Sequence, residues 1–377
     1  MATTVIHAAD RILLPTGLTG PGWVEIGRDC ITAVGVGAPP RPADLHHAGG
    51  LLCPGFVDIH CHGGGGATFA DGLEAAKVAR HTHRSAGTAA TVASLVTASL
   101  GELERQCADL APLVAAGDLA GIHLEGPWLS PKRRGVHDPV SLRNPTVADA
   151  RALVAAGGGA VRMVTMAPEV PGALEVISYL ASEGIVVAIG HSDADEATAA
   201  RAIEAGATVA THLFNAMRPI SHRDPGIVGA CLDAGDVAVE LIADGVHLAA
   251  SMVGLAVRAS RGGALLVTDA IAAAGQGDGD CTLGGLPIEV RNGVARLAGT
   301  DTVAGSTIVL ADAVRYAVRV AGVPLEEALW AATARPARAL GLFRYGLLVA
   351  GTRADLVVLD DDVRVRSVLH LGAATLP

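Results

Sequence analysis

Short apolar segments recur along the central part of the chain, each bounded by glycine, proline or polar residues. Every segment is apolar almost throughout and does not alternate between apolar and polar positions. This pattern is typical of strands that are buried on both faces of a parallel sheet. Eight segments of this kind are found, at 56–60, 89–96, 119–126, 161–168, 185–191, 208–214, 237–245 and 264–270.

Alanine-rich segments with charged residues separate most of these runs and have the composition of helices. The segment SDADEATAARAIEAG carries helix signals at both ends, since it opens at Ser192, has Glu196 in its first turn and ends near Gly206. Alternation of strand and helix predicts an α/β protein, and eight strands favour a TIM-like (β/α)8 barrel over residues 54–340. An open, doubly wound sheet is the alternative, because periodicity alone does not exclude it.

The two ends of the chain show a different pattern, with short alternating strands and turns. TVIHAADRILLPTG and GWVEIGRDCITAVGVG lie near the start of the chain, and TRADLVVLDDDVRVRSVLHLG lies near its end. Each end is too short to enclose a core alone, so residues 1–53 and 341–377 are predicted to pair into one small β domain. A further hairpin is predicted within 288–299, with its turn at Asn292 and Gly293.

Composition narrows the class of function. The chain has 377 residues, of which 50% are hydrophobic and 18% charged, and its formal net charge is −10. This balance predicts a large buried core and argues against nucleic acid or an anionic membrane as a partner. The six cysteines are scattered without a C-x-x-C pair, and no secretory signal is visible at the N-terminus. These features predict a cytoplasmic protein with reduced thiols.

Side chains with metal-binding chemistry fall where the predicted strands end. His60 and His62 close the first strand, and residues i and i+2 of a strand face the same side, so both can hold one ion. In a barrel, the C-terminal ends of all strands meet at one mouth. A single histidine is more often structural, but the whole set predicts a site for Zn²⁺ or a similar divalent ion. The other members are His123, Glu125, His191, His212, Asp244, His247 and Asp269.

Four glycines follow His62 directly, from Gly63 to Gly66. They are expected to let the backbone pass close to an ion or a substrate. The sequence has two lysines, Lys77 and Lys132, and neither ends the fourth strand, where many two-metal barrel hydrolases place a bridging carboxylated lysine. Glu125 is therefore the candidate for a bridge between two ions.

Several motifs resemble those of the amidohydrolase superfamily and, within it, of the N-acetylglucosamine-6-phosphate deacetylase family. They follow the order of that family over nearly the whole chain. HLEGPW and THLFNAM are the most specific, whereas many amidohydrolases share the His-x-His pair. The matching segments are PGFVDIHCHGG (54–64), IHLEGPWLSPKRRGVHDP (122–139), GHSDA (190–194), THLFNAM (211–217), RDPGIVGA (223–230), LIADGVHL (241–248), LVTDAIAAAG (266–275), VAGS (303–306) and GTRADLVVLD (351–360).

The resemblance implies a β/α barrel with a small β-sandwich built from both chain ends. The implied reaction is metal-dependent hydrolysis of the N-acetyl group of N-acetylglucosamine 6-phosphate to glucosamine 6-phosphate and acetate. The implied cofactor is one or two divalent ions per subunit, Zn²⁺ first, with Fe²⁺, Mn²⁺ or Co²⁺ as alternatives. The resemblance also implies a homodimer in which Arg223 reaches the phosphate in the neighbouring active site.

Roles for individual residues follow from the same resemblance. Asp269 is implied as the catalytic carboxylate, and His247 is implied to lie over the substrate. Because His60 and His62 are both present, a second ion bridged by Glu125 is expected. The implied metal ligands are Glu125, His191, His212, His60 and His62, and the implied substrate contacts are His137 to the sugar, Asn215, Ala216 and Arg223 to the phosphate, and His247.

Three alternatives stay open. A different amidohydrolase, such as a dihydroorotase or a D-aminoacylase-like enzyme, shares the expected fold, but THLFNAM and the missing fourth-strand lysine argue against it. A deacetylase of N-acetylgalactosamine 6-phosphate or another amino sugar phosphate shares the mechanism, and the sequence does not distinguish the sugar epimers. A non-catalytic metal-binding scaffold is the third alternative, although it would need no proton carrier such as Asp269.

The loop after EGPWLSP carries a cluster of positive charge, formed by Lys132, Arg133 and Arg134. We interpret this cluster as a solvated loop. The other interpretation is that it steers a phosphorylated substrate into an otherwise acidic protein.

Overall fold

A computed structural model describes residues 4–375 and has a parallel sheet of eight strands at its centre. The strands neighbour one another in chain order, so each crossover returns the chain to the next position in the sheet. We number them barrel strands one to eight. Their bounds are Phe56–Cys61, Thr88–Val96, Gly121–Glu125, Val161–Met166, Val186–Ile189, Ala207–Ala210, Ala238–Ile242 and Ala264–Val267.

The sheet closes into a barrel where strand one meets the end of strand eight. Cys61 and Ala270 form a parallel bridge there, and the amide of Asp269 donates to the carbonyl oxygen of His60 over 2.8 Å. The hydroxyl of Thr268 also donates to Asp58 Oδ2 over 2.6 Å. The predicted barrel is therefore confirmed, and the open sheet is excluded.

Helices cover the outside of the barrel, because strands that are apolar on both faces need a partner on each. Two short 3-10 turns, Phe69–Asp71 and Pro131–Arg133, lie in loops at the mouth. No helix within residues 4–375 is long and apolar enough to cross a membrane. The α-helices of the described chain are Leu73–Ser85, Leu100–Ala115, Val147–Ala156, Ala173–Ser182, Glu196–Glu204, Gly226–Asp233, Ala250–Ala259, Leu310–Arg319, Leu325–Ala331 and Ala334–Ala339.

The helix that was predicted to open at Ser192 begins at Glu196. Asp195 caps it, because its side chain accepts a hydrogen bond from the amide of Thr198 over 2.8 Å. A short acidic side chain is well suited to this position. The predicted end near Gly206 is confirmed, since the helix stops at Glu204.

Both ends of the chain form a second sheet of eight strands beside the barrel. Leu356–Leu359 pairs antiparallel with Leu45–Pro54, which in turn pairs parallel with Val5–Leu14. Side chains from both ends, among them Ile12 and Leu356, share one apolar cluster, so each end completes the core of the other. The strands are Val5–Leu14, Gly17–Thr19, Gly22–Ile26, Ile31–Val36, Leu45–Pro54, Leu356–Leu359, Val365–His370 and Ala373–Thr375.

This second sheet is the small β domain expected from both chain ends, and the predicted fold class is confirmed. The domain limits 1–53, 54–340 and 341–377 stay a prediction. Leu45–Pro54 runs across the first of these limits and leads directly into barrel strand one at Phe56.

A three-stranded antiparallel sheet forms one wall of the mouth, with strands Gly279–Leu283, Leu286–Arg291 and Val294–Leu297. Its second turn is at Asn292 and Gly293, as predicted, and φ is 52° and 73° at these residues. Asparagine and glycine adopt such positive values more readily than other residues. Leu283 brings this sheet to the lining of the cavity described below.

The glycines after His62 form a tight hairpin in which Gly63–Gly64 pairs with Ala67–Thr68. A Cβ on Gly63 would collide with the carbonyl oxygen of Ala67, and one on Gly65 would collide with Thr82 on the first helix. The expectation that these glycines make room for an ion or a substrate is therefore wrong. They allow a sharp turn that packs closely against the first helix.

Candidate active site

A cavity of about 340 Å³ opens at the C-terminal end of the barrel. His60 is fully buried and lies directly beside the residues that line the cavity. Its Nε2 atom is 3.2 Å from Nε2 of His62 and 3.4 Å from Oε1 of Glu125. Arg223 is exposed and does not line the cavity of its own chain. The predicted site residues that do line the cavity are His62, Glu125, His137, His191, His212, Asn215, Ala216, His247 and Asp269.

His60, His62 and Glu125 form what we call the first donor group. The Nε2 atoms of the two histidines lie 3.2 Å apart, and Nε2 of His62 lies 3.2 Å from Glu125 Oε2. Nδ1 of His60 faces Glu240 Oε2 over 2.9 Å, and Nδ1 of His62 faces the carbonyl oxygen of Ser94 over 3.1 Å. Because both of these oxygens accept hydrogen bonds, Nδ1 of each ring carries the proton, and Nε2 is left unprotonated in the neutral ring.

Glu125, His191 and His212 form the second donor group. Glu125 Oε1 lies 3.2 Å from Nε2 of His191 and 3.1 Å from Nε2 of His212, and the two nitrogens are 3.0 Å apart. His191 donates from Nδ1 to the carbonyl oxygen of Arg133 over 2.8 Å. Glu125 thus takes part in both donor groups, as a bridging ligand must.

The two donor groups match the chemistry of divalent metal ions. Within each group, imidazole nitrogens face one another at 3.0 to 3.2 Å, and this is unfavourable for neutral rings unless a cation or a proton lies between them. The ligand atoms of each group lie within 4.8 Å of one another. Imidazole and carboxylate suit Zn²⁺ and similar transition ions. The residues therefore fit one ion per group with Glu125 shared.

The backbone is left-handed at three of the predicted site residues that follow barrel strands, with φ of 46° at His191, 28° at His212 and 48° at Asp269. Each lies two residues beyond the end of its barrel strand. A residue with a Cβ adopts this conformation at a cost of roughly 1–2 kcal/mol. Such strain persists where the surrounding structure fixes it, commonly at functional sites.

Asp269 lies beside the first donor group, with Oδ1 3.1 Å from Nε2 of His62 and 3.4 Å from Nε2 of His60. Burial raises the pKa of Asp269, but in the metal-free protein the charge of protonated His60 and the hydrogen bond from protonated His62 outweigh it and hold the pKa below its ordinary value. The carboxylate is therefore ionised near pH 7 and can accept a proton. Its position next to the donor groups suits a catalytic base.

His247 also lines the cavity and is held by Asp244, because its Nδ1 donates to Asp244 Oδ2 over 2.7 Å. Burial lowers the pKa of His247, but the hydrogen bond and the charge of Asp244 outweigh it and raise the pKa above its ordinary value. The ring therefore takes up a proton more readily than a free imidazole. It can donate from Nε2 to negative charge that develops in the cavity.

His137 contacts Glu125 from the edge of the cavity. Its Nδ1 accepts from the amide of Thr97 over 3.3 Å, so Nε2 carries the proton and faces Glu125 Oε2 at 3.4 Å. Burial and then the charge of His191 lower the pKa of His137 to about 4, and the ring is neutral near pH 7. His137 is therefore a hydrogen-bond donor in the cavity.

The residues expected at a phosphate fall in two places. Asn215 and Ala216 line the cavity, and Asn215 Nδ2 donates to the carbonyl oxygen of His212 over 3.2 Å. Arg223 lies on an exposed turn before the helix Gly226–Asp233. Its role at a neighbouring active site stays a prediction.

Lys132 and Arg133 line the cavity, although the Lys132 side chain is largely exposed to solvent, as the interpretation of a solvated loop expects. Lys132 Nζ lies 3.2 Å from Asp193 Oδ2, and Arg133 Nε donates to Asp193 Oδ1 over 2.8 Å. Arg134 donates to the carbonyl oxygen of His137 over 3.0 Å. The loop is therefore held at the second donor group, and positive charge lies at the mouth.

The sequence analysis did not identify Glu240, which is fully buried within barrel strand seven. Its Oε2 accepts from Nδ1 of His60 over 2.9 Å and from the amide of His212 over 3.2 Å. A signal was present, because Glu240 is a charged residue in the otherwise apolar run VAVELI. A carboxylate in such a run needs a polar partner, since burying it alone is costly.

Residues 51–374 match the model of the Amidohydrolase family. The chain belongs to the amidohydrolase family. N-acetylglucosamine-6-phosphate deacetylase of Bos taurus is 41% identical over 341 residues, which cover 86% of this chain and 83% of the relative. N-acetylgalactosamine-6-phosphate deacetylase of Escherichia coli O157:H7 is 35% identical over 377 residues, which cover 98% of each chain.

Among solved structures, this member of the amidohydrolase family is similar to an N-acetyl-D-glucosamine-6-phosphate deacetylase mutant from Mycobacterium smegmatis in complex with N-acetyl-D-glucosamine-6-phosphate. The TM-score is 0.96 at 47% identity, and the match covers 99% of each chain. The N-acetylglucosamine-6-phosphate deacetylase of Thermotoga maritima gives a TM-score of 0.89 at 32% identity, over 98% of this chain and 99% of the other. The resemblance inferred from the motifs is confirmed.

Proposed function

We propose that the chain hydrolyses the N-acetyl group of N-acetylglucosamine 6-phosphate and releases glucosamine 6-phosphate and acetate. The observation that carries this proposal is the position of Glu125 between two donor groups, with Asp269 beside them. The similarity to N-acetylglucosamine-6-phosphate deacetylases over most of the chain supports the substrate.

Each donor group would hold one divalent ion, with Zn²⁺ as the first choice and Fe²⁺, Mn²⁺ or Co²⁺ as alternatives. Glu125 would serve both ions, His60 and His62 the first, and His191 and His212 the second. An ion in such a site polarises a carbonyl group and makes water more acidic. The hydrogen bonds from Nδ1 of His60, His62 and His191 support this assignment, because they leave Nε2 as the ligand atom.

Asp269 would act first as a base and then as an acid. It would accept a proton from the attacking water while the new C–O bond forms at the acetyl carbon. It would then donate that proton to the amide nitrogen, so that the C–N bond breaks and the amine leaves as a neutral group. The same carboxylate therefore accepts the proton in the first step and gives it up in the second.

His247 would donate a hydrogen bond to the acetyl oxygen as negative charge develops on it. Asp244 supports this role, because the bond from Nδ1 of His247 fixes the ring and raises its pKa. The role requires only that Nε2 carries a proton, and the ring keeps that proton whether it is neutral or cationic.

The sugar phosphate would occupy the remainder of the cavity. His137 would contact the sugar, and Asn215 and Ala216 would bind the phosphate, partly through their backbone. Arg223 would reach the phosphate of a neighbouring subunit, so the working assembly would be a homodimer. The exposed position of Arg223, outside the cavity of its own chain, is compatible with this arrangement. We place the protein in the cytoplasm, where its six free cysteines stay reduced.

The second candidate substrate is N-acetylgalactosamine 6-phosphate. It is favoured by the E. coli relative named for that sugar, which matches nearly the whole chain. The two sugars differ only at one hydroxyl, and both proposals use the same residues for hydrolysis.

Release of acetate from the two epimeric sugar phosphates, measured with and without a chelator, tests the proposal. We expect a higher kcat/KM for N-acetylglucosamine 6-phosphate and loss of turnover after the ions are removed, with recovery when Zn²⁺ is restored. A higher kcat/KM for the galactosamine epimer would favour the second candidate. Full activity in the metal-free protein would reject the mechanism.

A further inference from the structure

Glu240 contacts a ligand of each donor group. Its Oε2 accepts from Nδ1 of His60 over 2.9 Å and from the amide of His212 over 3.2 Å. The backbone carbonyl of Glu240 also accepts from the amide of Leu213 over 2.8 Å. One buried residue therefore holds the ring of one ligand and the backbone of another.

The contact with His60 decides which nitrogen of that ring meets an ion. An imidazole whose Nδ1 donates to a carboxylate presents Nε2 as a more basic ligand. Loss of such a partner typically weakens metal binding about 10- to 100-fold. Glu240 is well placed for this effect, because it is fully buried and no water competes for Nδ1.

The contact with His212 works through the backbone. His212 has a φ of 28°, which needs restraint from its surroundings. Its Nδ1 is buried without a hydrogen-bond partner among residues 4–375, so the orientation of the ring depends on the turn that carries it. The bonds from the amides of His212 and Leu213 to Glu240 fix that turn.

We propose that Glu240 is a positioning residue that couples the two donor groups. The same oxygen orients His60 in the first group and restrains the backbone of His212 in the second. An ion bound by the first group strengthens the contact between His60 and Glu240, and this raises the affinity of the second group for its ion. Thermodynamic linkage requires that an ion in the second group raises the affinity of the first group by the same factor. This inference builds on the proposed metal centre and does not depend on which sugar is the substrate.

The experiment is a titration of the metal-free protein with Zn²⁺ in competition with a chromophoric chelator. Wild type is compared with Glu240→Ala, which removes the acceptor, and Glu240→Gln, which keeps an oxygen but removes the charge. In Glu240→Ala we expect affinity at the first group to fall about 10- to 100-fold and affinity at the second group to fall as well. Glu240→Gln should lie between the alanine variant and wild type.

Thr165→Val is the matched control. Thr165 is a buried polar residue of barrel strand four whose Oγ1 bonds to His123 Nε2 over 2.7 Å and to Thr211 Oγ1 over 2.8 Å. Its backbone pairs with Glu125 in the sheet, but in the described chain its side-chain hydroxyl bonds to His123 and Thr211 and to no ligand of either donor group. Both ions should therefore bind to this variant as they do to wild type, even if its melting temperature falls.

A second readout is ¹⁵N NMR of the His60 ring in the metal-free protein, at a pH high enough for the ring to be neutral, which reports whether Nδ1 carries the proton. We expect the Nδ1–H form in wild type and Glu240→Gln, and a mixture of forms in Glu240→Ala. If the alanine variant does not fold, weaker ion binding in Glu240→Gln supports the inference and wild-type binding overturns it. Unchanged binding in both variants would overturn this inference alone, whereas wild type that binds no ion would overturn the proposed metal centre with it.

Discussion

The two donor groups share Glu125 and the same ligand chemistry, yet the chain builds them differently. His60 lies in barrel strand one and His62 directly after it, and neither residue has a positive φ. His191 and His212 lie beyond their strands, with φ of 46° and 28°. The first group is therefore held by the sheet and the second by the turns that follow it. An imidazole ligand can therefore be positioned either by a strand or by a strained turn that follows a strand.

The groups also differ in what holds their rings. His60 donates to a carboxylate of Glu240, whereas His62 and His191 donate to backbone carbonyl oxygens. A carboxylate makes the ring a stronger ligand than a carbonyl does. The first group therefore depends more on a single replaceable side chain than the second group does.

The largest effect is expected from Glu125→Gln, because Glu125 is the ligand common to both groups. The substitution removes the negative charge that both ions would share, so each group should lose affinity for its ion. Metal analysis after dialysis should give well below one ion per chain, and acetate release should fall to background. Two ions retained per chain would show that Glu125 is not shared.

Asp269→Asn should separate chemistry from ion binding. Asp269 lies beside the first group, and its proposed role is proton transfer, so we expect kcat to fall about 10²- to 10⁴-fold while metal content stays at the wild-type level. Steady-state kinetics and metal analysis on the same sample provide the measurement. Turnover near the wild-type rate would reject the assignment of Asp269 as the base.

Arg223→Ala should leave both groups intact and affect the substrate alone. A charged hydrogen bond of the kind proposed is worth roughly 1.5–3 kcal/mol, so KM for the phosphorylated sugar should rise at least about tenfold. Activity toward unphosphorylated N-acetylglucosamine should change little, and metal content should not change. Equal effects on both sugars would contradict a contact with phosphate.

The smallest expected effect is a change in stability, and it tests whether the backbone is strained at His191 and unstrained at His62. At His191, where φ is 46°, glycine should give a more stable metal-free protein than alanine by about 1 kcal/mol, because glycine has no Cβ to strain. At His62, where φ is not positive, alanine should be the more stable by about 0.5–1 kcal/mol. The free energy of unfolding in denaturant is measured for the glycine and alanine variants at each of the two positions. If glycine or alanine were the more stable at both positions, the proposed difference in backbone strain would be wrong.

The sequence predicted the first group more fully than the second. His60 and His62 follow a rule of strand alternation that can be applied to the residues alone. The orientations of His191 and His212 depend on positive φ values that histidine rarely adopts, so no pattern in the neighbouring sequence predicts these orientations. Their roles came from the resemblance of GHSDA and THLFNAM to known motifs.

The errors have physical causes as well. Gly63 and Gly65 were predicted to leave space for the ion, but a Cβ at these positions would collide with Ala67 and Thr82. The spacing of residues in the sequence does not predict these contacts. Glu240 was missed because attention to strand ends passes over a residue in the middle of strand seven. The eight strands themselves were predictable, since burial on both faces leaves a nearly continuous apolar run.

The amide of Asp269 bonds to the carbonyl of His60, and this pair belongs to the seam that shuts the ring of strands. Thr268 and Asp58, which reinforce the seam, are 210 residues apart in the chain. A polypeptide leaving the ribosome therefore presents His60 and His62 long before Asp269, the carboxylate that would work with them, has been synthesised. Such distant pairings form late in folding, so recovery of hydrolysis after dilution from denaturant would time the final step of assembly.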